Sequence, residues 1–242
     1  MKKGLVVLGA LSLLLVSCGS APAQEVSTET TSSSEAVVQE SESAAEMENS
    51  EDSGDEVSAL RSEDGDIAGI IFMREEEKLA RDVYLKMTEL WGMNIFSNIA
   101  GSEQSHMDAV LNLIDMTGVD DPVQGREAGE FLNQDLQALY DNLVDRGRES
   151  LAEALLVGAA IEEIDILDLQ EYLAETDDPN ISEVYQNLLK GSINHLQSFV
   201  RTYERQTGEQ YQPQYLTEEA YQELLSVSPS RGGGGGQSRS AK

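Results

Sequence analysis

Four stretches of this chain, at 66–92, 94–115, 150–175 and 179–205, repeat apolar residues at steps of three and four, the period of a buried helix face. Each breaks its apolar stripe near mid-length with a polar residue. The first stripe runs Ile70, Glu77, Ala80, Tyr84, Met87, Trp91, and the second Phe96, Ile99, Glu103, His106, Val110, Leu113. The third runs Leu151, Leu155, Gly158, Glu162, Asp165, Leu169, Tyr172. The fourth runs Ile181, Val184, Leu188, Ser192, His195, Phe199, Thr202. Any fold of this chain has to bury four such stripes and the acids and imidazoles embedded in them.

The ends of these segments carry helix signals. Gly92 suits a left-handed stop, and Asn94 reads as an N-cap for the second helix. Ser150 and Glu153 form a capping box, and Asp178 precedes Pro179 at a first helical position. Between the second and third helices, 117–149 holds a shorter helical pattern over 131–147, with Phe131, Leu136, Leu139 and Leu143 on one side. No stretch alternates convincingly as a strand. Helices of about 22 to 27 residues, roughly 33–40 Å long at 1.5 Å per residue, pack as a bundle through narrow seams. Short links join helices one and two, and three and four. The long connection joins two and three. The expected fold is therefore all-α: a ferritin-like four-helix bundle with a long crossover between helices 2 and 3.

A buried carboxylate is costly unless it is paired. Glu77, Glu103, Glu162 and Asp165, with His106 and His195, would meet at one level of such a bundle, and these are the only two histidines of the chain. Divalent cations resolve that conflict, since carboxylates bridge and neutralise them and imidazole nitrogens complete their coordination. Glu103 and His106 stand three apart and so project from one helix face. Mixed oxygen and nitrogen donors suit iron or manganese and are accepted by zinc. The expected metal ligands are Glu77, Glu103, His106, Glu162, Asp165 and His195, around two divalent ions, Fe or Mn, with Zn also accepted.

Flanking residues have plainer readings. Glu75, Glu76 and Glu163 are expected on solvated faces, and Lys78 and Arg81 in surface ion pairs. Met73, Met87, Met93, Met107 and Met116 read as core filler, and Tyr84 as packing, with a hydrogen bond to a ligand or an electron relay as its alternative.

The runs "EEEKLARDVY", "FSNIAGSEQSH", "ALLVGAAIEEIDILDL", "GSINHLQSF" and "YQPQYLTEEAYQELL" resemble the DUF2202 family of uncharacterised bacterial and archaeal ferritin-like proteins, over about residues 64–226. The spacing from Glu77 to Tyr84 and the Glu103-x-x-His106 run are also similar to rubrerythrins and bacterioferritins. That resemblance implies a di-iron centre that reacts with oxygen or peroxide or oxidises Fe(II), and it makes two iron ions the leading cofactor. By position it implies Glu77 as the first-helix carboxylate and Glu103 with His106 as the second-helix pair. Glu162 would be the bridging carboxylate of the third helix, and His195 the imidazole of the fourth. Ser192 departs from the pattern, because those relatives carry the Glu of a second Glu-x-x-His there. Two outcomes stay open: Asp165 replaces that carboxylate, or the site is mononuclear, zinc-filled or inert. No rubredoxin-like cysteine pair is present, so electrons would come from an unknown donor or from iron itself.

The amino terminus, "MKKGLVVLGALSLLLVSCGS", has a basic start, an apolar run too short to span a bilayer, and "LVSC" at 15–18. The last resembles a bacterial lipobox. It implies cleavage after residue 17, a lipid anchor on Cys18 and residence in the cell envelope, on the periplasmic or extracellular face of a membrane. Cys18 is the only cysteine, which excludes an intramolecular disulfide and a thiolate cluster. Residues 18–63 are acidic, rich in Ser, Thr and Ala, and carry one basic residue, Arg61; they read as a disordered linker. Residues 64–226 form the folded domain, and 227–242 a Gly/Ser-rich tail. With a formal net charge of −29 and no basic stripe, the chain is not a nucleic-acid binder. A homodimer is left open. The functions in contention are a di-metal redox protein, enzymatic if iron turns over, a non-catalytic metal-stabilised binding or interaction module, and a metal-free scaffold.

Overall fold

The chain reverses where its caps stand. The computed structural model describes residues 53–226. The signal-like run, Cys18, the linker up to residue 52 and the Gly/Ser tail lie outside the described residues. Those described are all-α, with no strand among them: α1 Ser53–Trp91, α2 Asn94–Thr117, α3 Gln134–Gly147, α4 Leu151–Glu175, α5 Pro179–Thr207 and α6 Glu218–Ser226. None of these helices is long and apolar enough to cross a membrane.

Gly92 ends α1 at φ 64°, donating its N–H to the Thr88 carbonyl at 2.9 Å. The Ser150 hydroxyl accepts from the Glu153 N–H to open α4. The Asp178 carboxylate accepts from Asn180 and Ile181 N–H groups, with Pro179 in the first turn of α5. Three boundaries differ from the sequence reading. The N-cap of α2 is Met93, without a side-chain cap bond, and Asn94 is already helical, because the reversal after Gly92 uses only two residues. Asn133 caps α3 through the N–H groups of Asp135 and Leu136, so Phe131 packs ahead of the helix rather than in it. The first helix begins at Ser53 rather than near Asp66, taking in 53–63, which the charge pattern assigned to the linker. That stretch has no proline, and a packed helix propagates into such sequence more easily than a new one nucleates.

α1 packs against α2 and α4, and α5 packs against α4 and α2. Short links make α1 with α2, and α4 with α5, antiparallel pairs. α3 lies against α1 and α4. The apolar interior falls into two clusters. One gathers Val83, Tyr84, Met87, Phe96, Leu155 and Phe199, and the other Ile70, Met73, Val110, Leu113, Leu169 and Leu188. Between them each long helix contributes its polar residues, so the core is interrupted by a polar layer.

The stretch Arg74–Lys78 is buried on every side, contrary to the solvated reading of Glu75 and Glu76 and the surface pairing of Lys78. The connection between α2 and α3 lies on it. Arg74 pairs with Asp121 at 3.0 Å and donates to the Met107 carbonyl. The Glu75 carboxylate accepts from the N–H groups of Leu132 and Asn133. Lys78 reaches Asp82 at 2.6 Å and the Glu127 carbonyl, while its ammonium sits 4.4 Å from the Phe131 ring centre. Glu163 is equally buried, beneath the segment at 211–216. Met73, Met87 and Met107 are core residues as expected; Met116, in the last turn of α2, is 67% exposed and fills nothing.

Candidate metal centre

Glu103 is the hub of the polar layer. Its position on α2, four residues after Ile99 and seven after Phe96, turns it inward with them, and it is buried. One oxygen, Oε2, lies 2.8 Å from Nδ1 of His106, one turn along the same helix. The other, Oε1, lies 2.8 Å from Nδ1 of His195 on α5. The two imidazoles stack at 28° with centres 5.5 Å apart. Glu77 from α1 completes one side, with Oε2 3.2 Å from His106 Nδ1. Glu162 from α4 completes the other, with Oε2 3.5 Å from His195 Nδ1. Two groups result, Glu77–Glu103–His106 and Glu103–Glu162–His195, each with its ligand atoms within 4.8 Å of one another. Glu103 belongs to both.

Neighbouring residues hold these side chains in place. The Tyr84 hydroxyl donates to Glu162 Oε1 at 2.6 Å, so Tyr84 does more than pack. Ser102 Oγ lies 3.0 Å from Nε2 of His195. A proton on Nε2, donated to that hydroxyl, leaves the Nδ1 lone pair facing the carboxylates. Gly191 lets the backbone of α5 pass the other imidazole, since a Cβ there would stand 2.5 Å from His106 Nε2.

Charge is concentrated here. Burial alone would depress His106, but contact with Glu103 and Glu77 pushes it up to about 11. His195 is likewise opposed by burial, yet the charges of Glu162 and Glu103 carry it up to about 10. Burial opposes ionisation of Glu103, but its contacts with the two imidazoles outweigh this and hold it at about 2. Glu77 is pushed well above the usual carboxylate range by burial and by Asp165, and Glu162 upward by burial and by Glu103. Without metal, then, two imidazolium ions and a carboxylate form a salt-bridged cluster.

Five of the six residues expected to bind metal meet in the two groups. Asp165 stands in neither. It is buried, and one of its oxygens is in hydrogen-bond contact with the Ser192 hydroxyl. That hydroxyl also lies 3.0 Å from the Leu188 carbonyl and has one proton to give. The Ser192 hydroxyl is thus the donor shared between Asp165 and the Leu188 carbonyl, while burial and the charge of Glu162 raise Asp165 to about 8. Ser102 and Gly191 were not predicted, whereas the Tyr84–Glu162 bond is the alternative that the sequence left to Tyr84. Tyr84 had a signal in its place on the Glu77 stripe, and the other two had none.

The family described as "Uncharacterized protein domain (DUF2202)" matches residues 66–228. The chain is 49% identical over 164 residues to the uncharacterized protein MJ0754 of Methanocaldococcus jannaschii, covering 68% of this chain and 88% of that protein. The crystal structure of hypothetical protein MJ0754 from Methanococcus jannaschii DSM 2661 is similar with a TM-score of 0.64 and 44% identity, over 78% of this chain and 99% of that one. Because the match spans every helix that contributes to the two Glu/His groups, the chain belongs to the DUF2202 family.

Proposed function

We propose that this protein is a ferritin-like four-helix bundle holding two divalent metal ions, iron foremost, and that it works in the cell envelope. The observation that carries the reading is the division of Glu103, one oxygen to each imidazole. The donor atoms fit metal. Glu77 Oε1, Glu103 Oε1 and His195 Nδ1 are buried without a hydrogen-bond partner. The last two are 2.8 Å apart but out of hydrogen-bond alignment, as two ligands aimed at a shared point would be. Carboxylate and imidazole donors suit Fe, Mn and Zn.

Glu77 and His106 would hold one ion, Glu162 and His195 the other, with Glu103 bridging. Iron bound there would supply electron transfer to O₂ or peroxide, or oxidation of further Fe(II). Tyr84 fixes the free oxygen of Glu162, Ser102 fixes the tautomer of His195, and the apolar clusters on both sides exclude water. An observation favours a second reading, a non-catalytic metal-stabilised module: Asp165, the acid nearest to replacing the missing fourth-helix carboxylate, is engaged with Ser192.

The full chain purified without chelators, or loaded with Fe(II) under nitrogen, is expected to carry close to two metal equivalents. Loading requires neutral imidazoles, and both are raised far above neutrality in the metal-free state. Protons are therefore released on binding, and affinity rises with pH between 6 and 9. Elemental analysis and calorimetry in buffers of different ionisation enthalpy check this. Metal content under a tenth of an equivalent, with no proton release, sinks the proposal. Oxidation of Fe(II) on exposure to O₂ or peroxide separates the redox reading from the structural one.

The envelope assignment rests on the lipobox-like run ending at Cys18. Wild-type chain is expected to take up labelled palmitate and sediment with membranes, and Cys18→Ser to do neither. Unchanged sedimentation of the variant would assign the anchoring elsewhere.

A further inference from the structure

α4 carries acids beyond the centre. From Glu162 they recur at three-residue steps, Asp165, Asp168 and Glu171, each about 60° further round the helix, so that the row winds from its buried side to its exposed side. Their exposure grades outward: Glu162 and Asp165 are buried, Asp168 is half-buried and Glu171 is exposed. Facing this row from α1 is Glu76, the residue before Glu77. It is 3% exposed, and neither of its oxygens has a hydrogen-bond partner. Asp168 is the neighbour whose charge acts on it most, with direct carboxyl-to-carboxyl contact, and Asp165 is the next. Asp168 Oδ2 and Asp165 Oδ1 also lack partners.

The nearby cations are committed elsewhere. Arg74 is held by Asp121 and the Met107 carbonyl, and Lys78 by Asp82 and the Glu127 carbonyl. Both imidazoles face Glu103. Buried Glu76, whose oxygens meet only another carboxyl group, that of half-buried Asp168, is a poor structural element. It is a good waypoint for a partly hydrated divalent cation. Two carboxylates are too few to retain such an ion as a dedicated cage does. A graded row of like charge also raises the local cation concentration at its mouth.

We propose that Glu76 and Asp168 form a transfer station through which divalent cations pass from solvent, at Glu171, to the centre by way of Asp165. This rests on the metal-binding reading above and adds a route to it. The hydroxyl of Tyr185, buried and without a hydrogen-bond partner, feels the charge of Glu76 and is an additional oxygen beside the route.

The test is stopped-flow uptake of Co²⁺ by the metal-free full chain, followed by its visible absorption. Comparison is among wild type, Glu76→Gln, Asp168→Asn and, as a control for the loss of one surface charge, Glu183→Gln. Each station variant is expected to load about 10-fold more slowly at limiting Co²⁺, to reach the wild-type stoichiometry at saturation, and to leave the control at the wild-type rate. Wild-type loading rates in both station variants overturn the route and leave a carboxyl pair that shares a proton. A lowered final stoichiometry overturns it differently, by making these residues permanent ligands. Absence of Co²⁺ uptake by wild type removes the centre itself, and the station with it. If Glu76→Gln does not fold, half-buried Asp168→Asn decides alone, with circular dichroism as the folding check.

Discussion

Glu103→Gln is expected to empty both halves of the centre, whereas Glu77→Gln or Glu162→Gln should each disturb one. The difference follows from geometry. Glu103 places one oxygen 2.8 Å from each imidazole Nδ1 and is common to both ligand groups; Glu77 and Glu162 each belong to one. A carboxamide offers one neutral oxygen in place of two charged ones, so at most one bridge contact survives, and weakly. Metal affinity should fall by about 100-fold or more, at the upper end of what even supporting residues of such sites contribute. The two histidines also lose the charge that holds them protonated in the metal-free state, so their titration should move down toward neutrality, visible by NMR. Elemental analysis of the three variants checks the ranking. If Glu103→Gln keeps two ions, or loses only as much as Glu77→Gln, Glu103 is not a bridge.

The adjacent acid, Glu163, should matter for stability instead. Its Oε1 accepts from the Tyr211 hydroxyl at 2.7 Å. Its Oε2 accepts from the backbone N–H groups of Gln214, Tyr215 and Leu216 at 2.8, 2.6 and 3.1 Å. This carboxylate is completely buried, and it binds the chain after α5 down onto α4. Removing it strands three backbone donors and a phenol. Bonds to charged acceptors are worth about 1.5–3 kcal/mol each, and breaking a buried charged network typically costs about 3–5 kcal/mol in all. Glu163→Ala is therefore expected to lose about 3–5 kcal/mol in urea unfolding. Glu163→Gln should lose less, because one oxygen still accepts. Amide exchange should accelerate at 214–216 before the rest of the domain. A loss below about 1 kcal/mol, within the range of an ordinary single bond, would mean that apolar contacts of Tyr211 and Leu216 hold this segment unaided. Since Glu163 faces away from the metal groups, metal stoichiometry should not change in either variant.

Neighbours in sequence thus have opposite tasks, and nothing in the pair Glu162–Glu163 announces which is which beyond helical phase. Phase is what the sequence by itself determined. The three- and four-residue steps, the caps at Ser150 and Asp178 and the stop at Gly92 are properties of short segments, set by backbone hydrogen bonding and by which side of a helix is apolar. They locate the long helices and align Glu77, Glu103, His106, Glu162 and His195 on inward faces. Phase is silent about what lies on the other side of a helix. The burial of Glu75 and Lys78 depends on a connection more than 40 residues away along the chain, as the Lys78 contact with Glu127 illustrates at a separation of 49. Glu163 waits for a segment 48 to 53 residues further on. Tyr84 meets Glu162 across 78 residues, and Asp165 meets Ser192 across 27. Such contacts need loops to close and helices to choose partners, and that choice comes from the burial of the whole core at once. The tertiary structure alone therefore decided which acids clamp the chain, which remain without partners, and that a single carboxylate, Glu103, stands between two imidazoles.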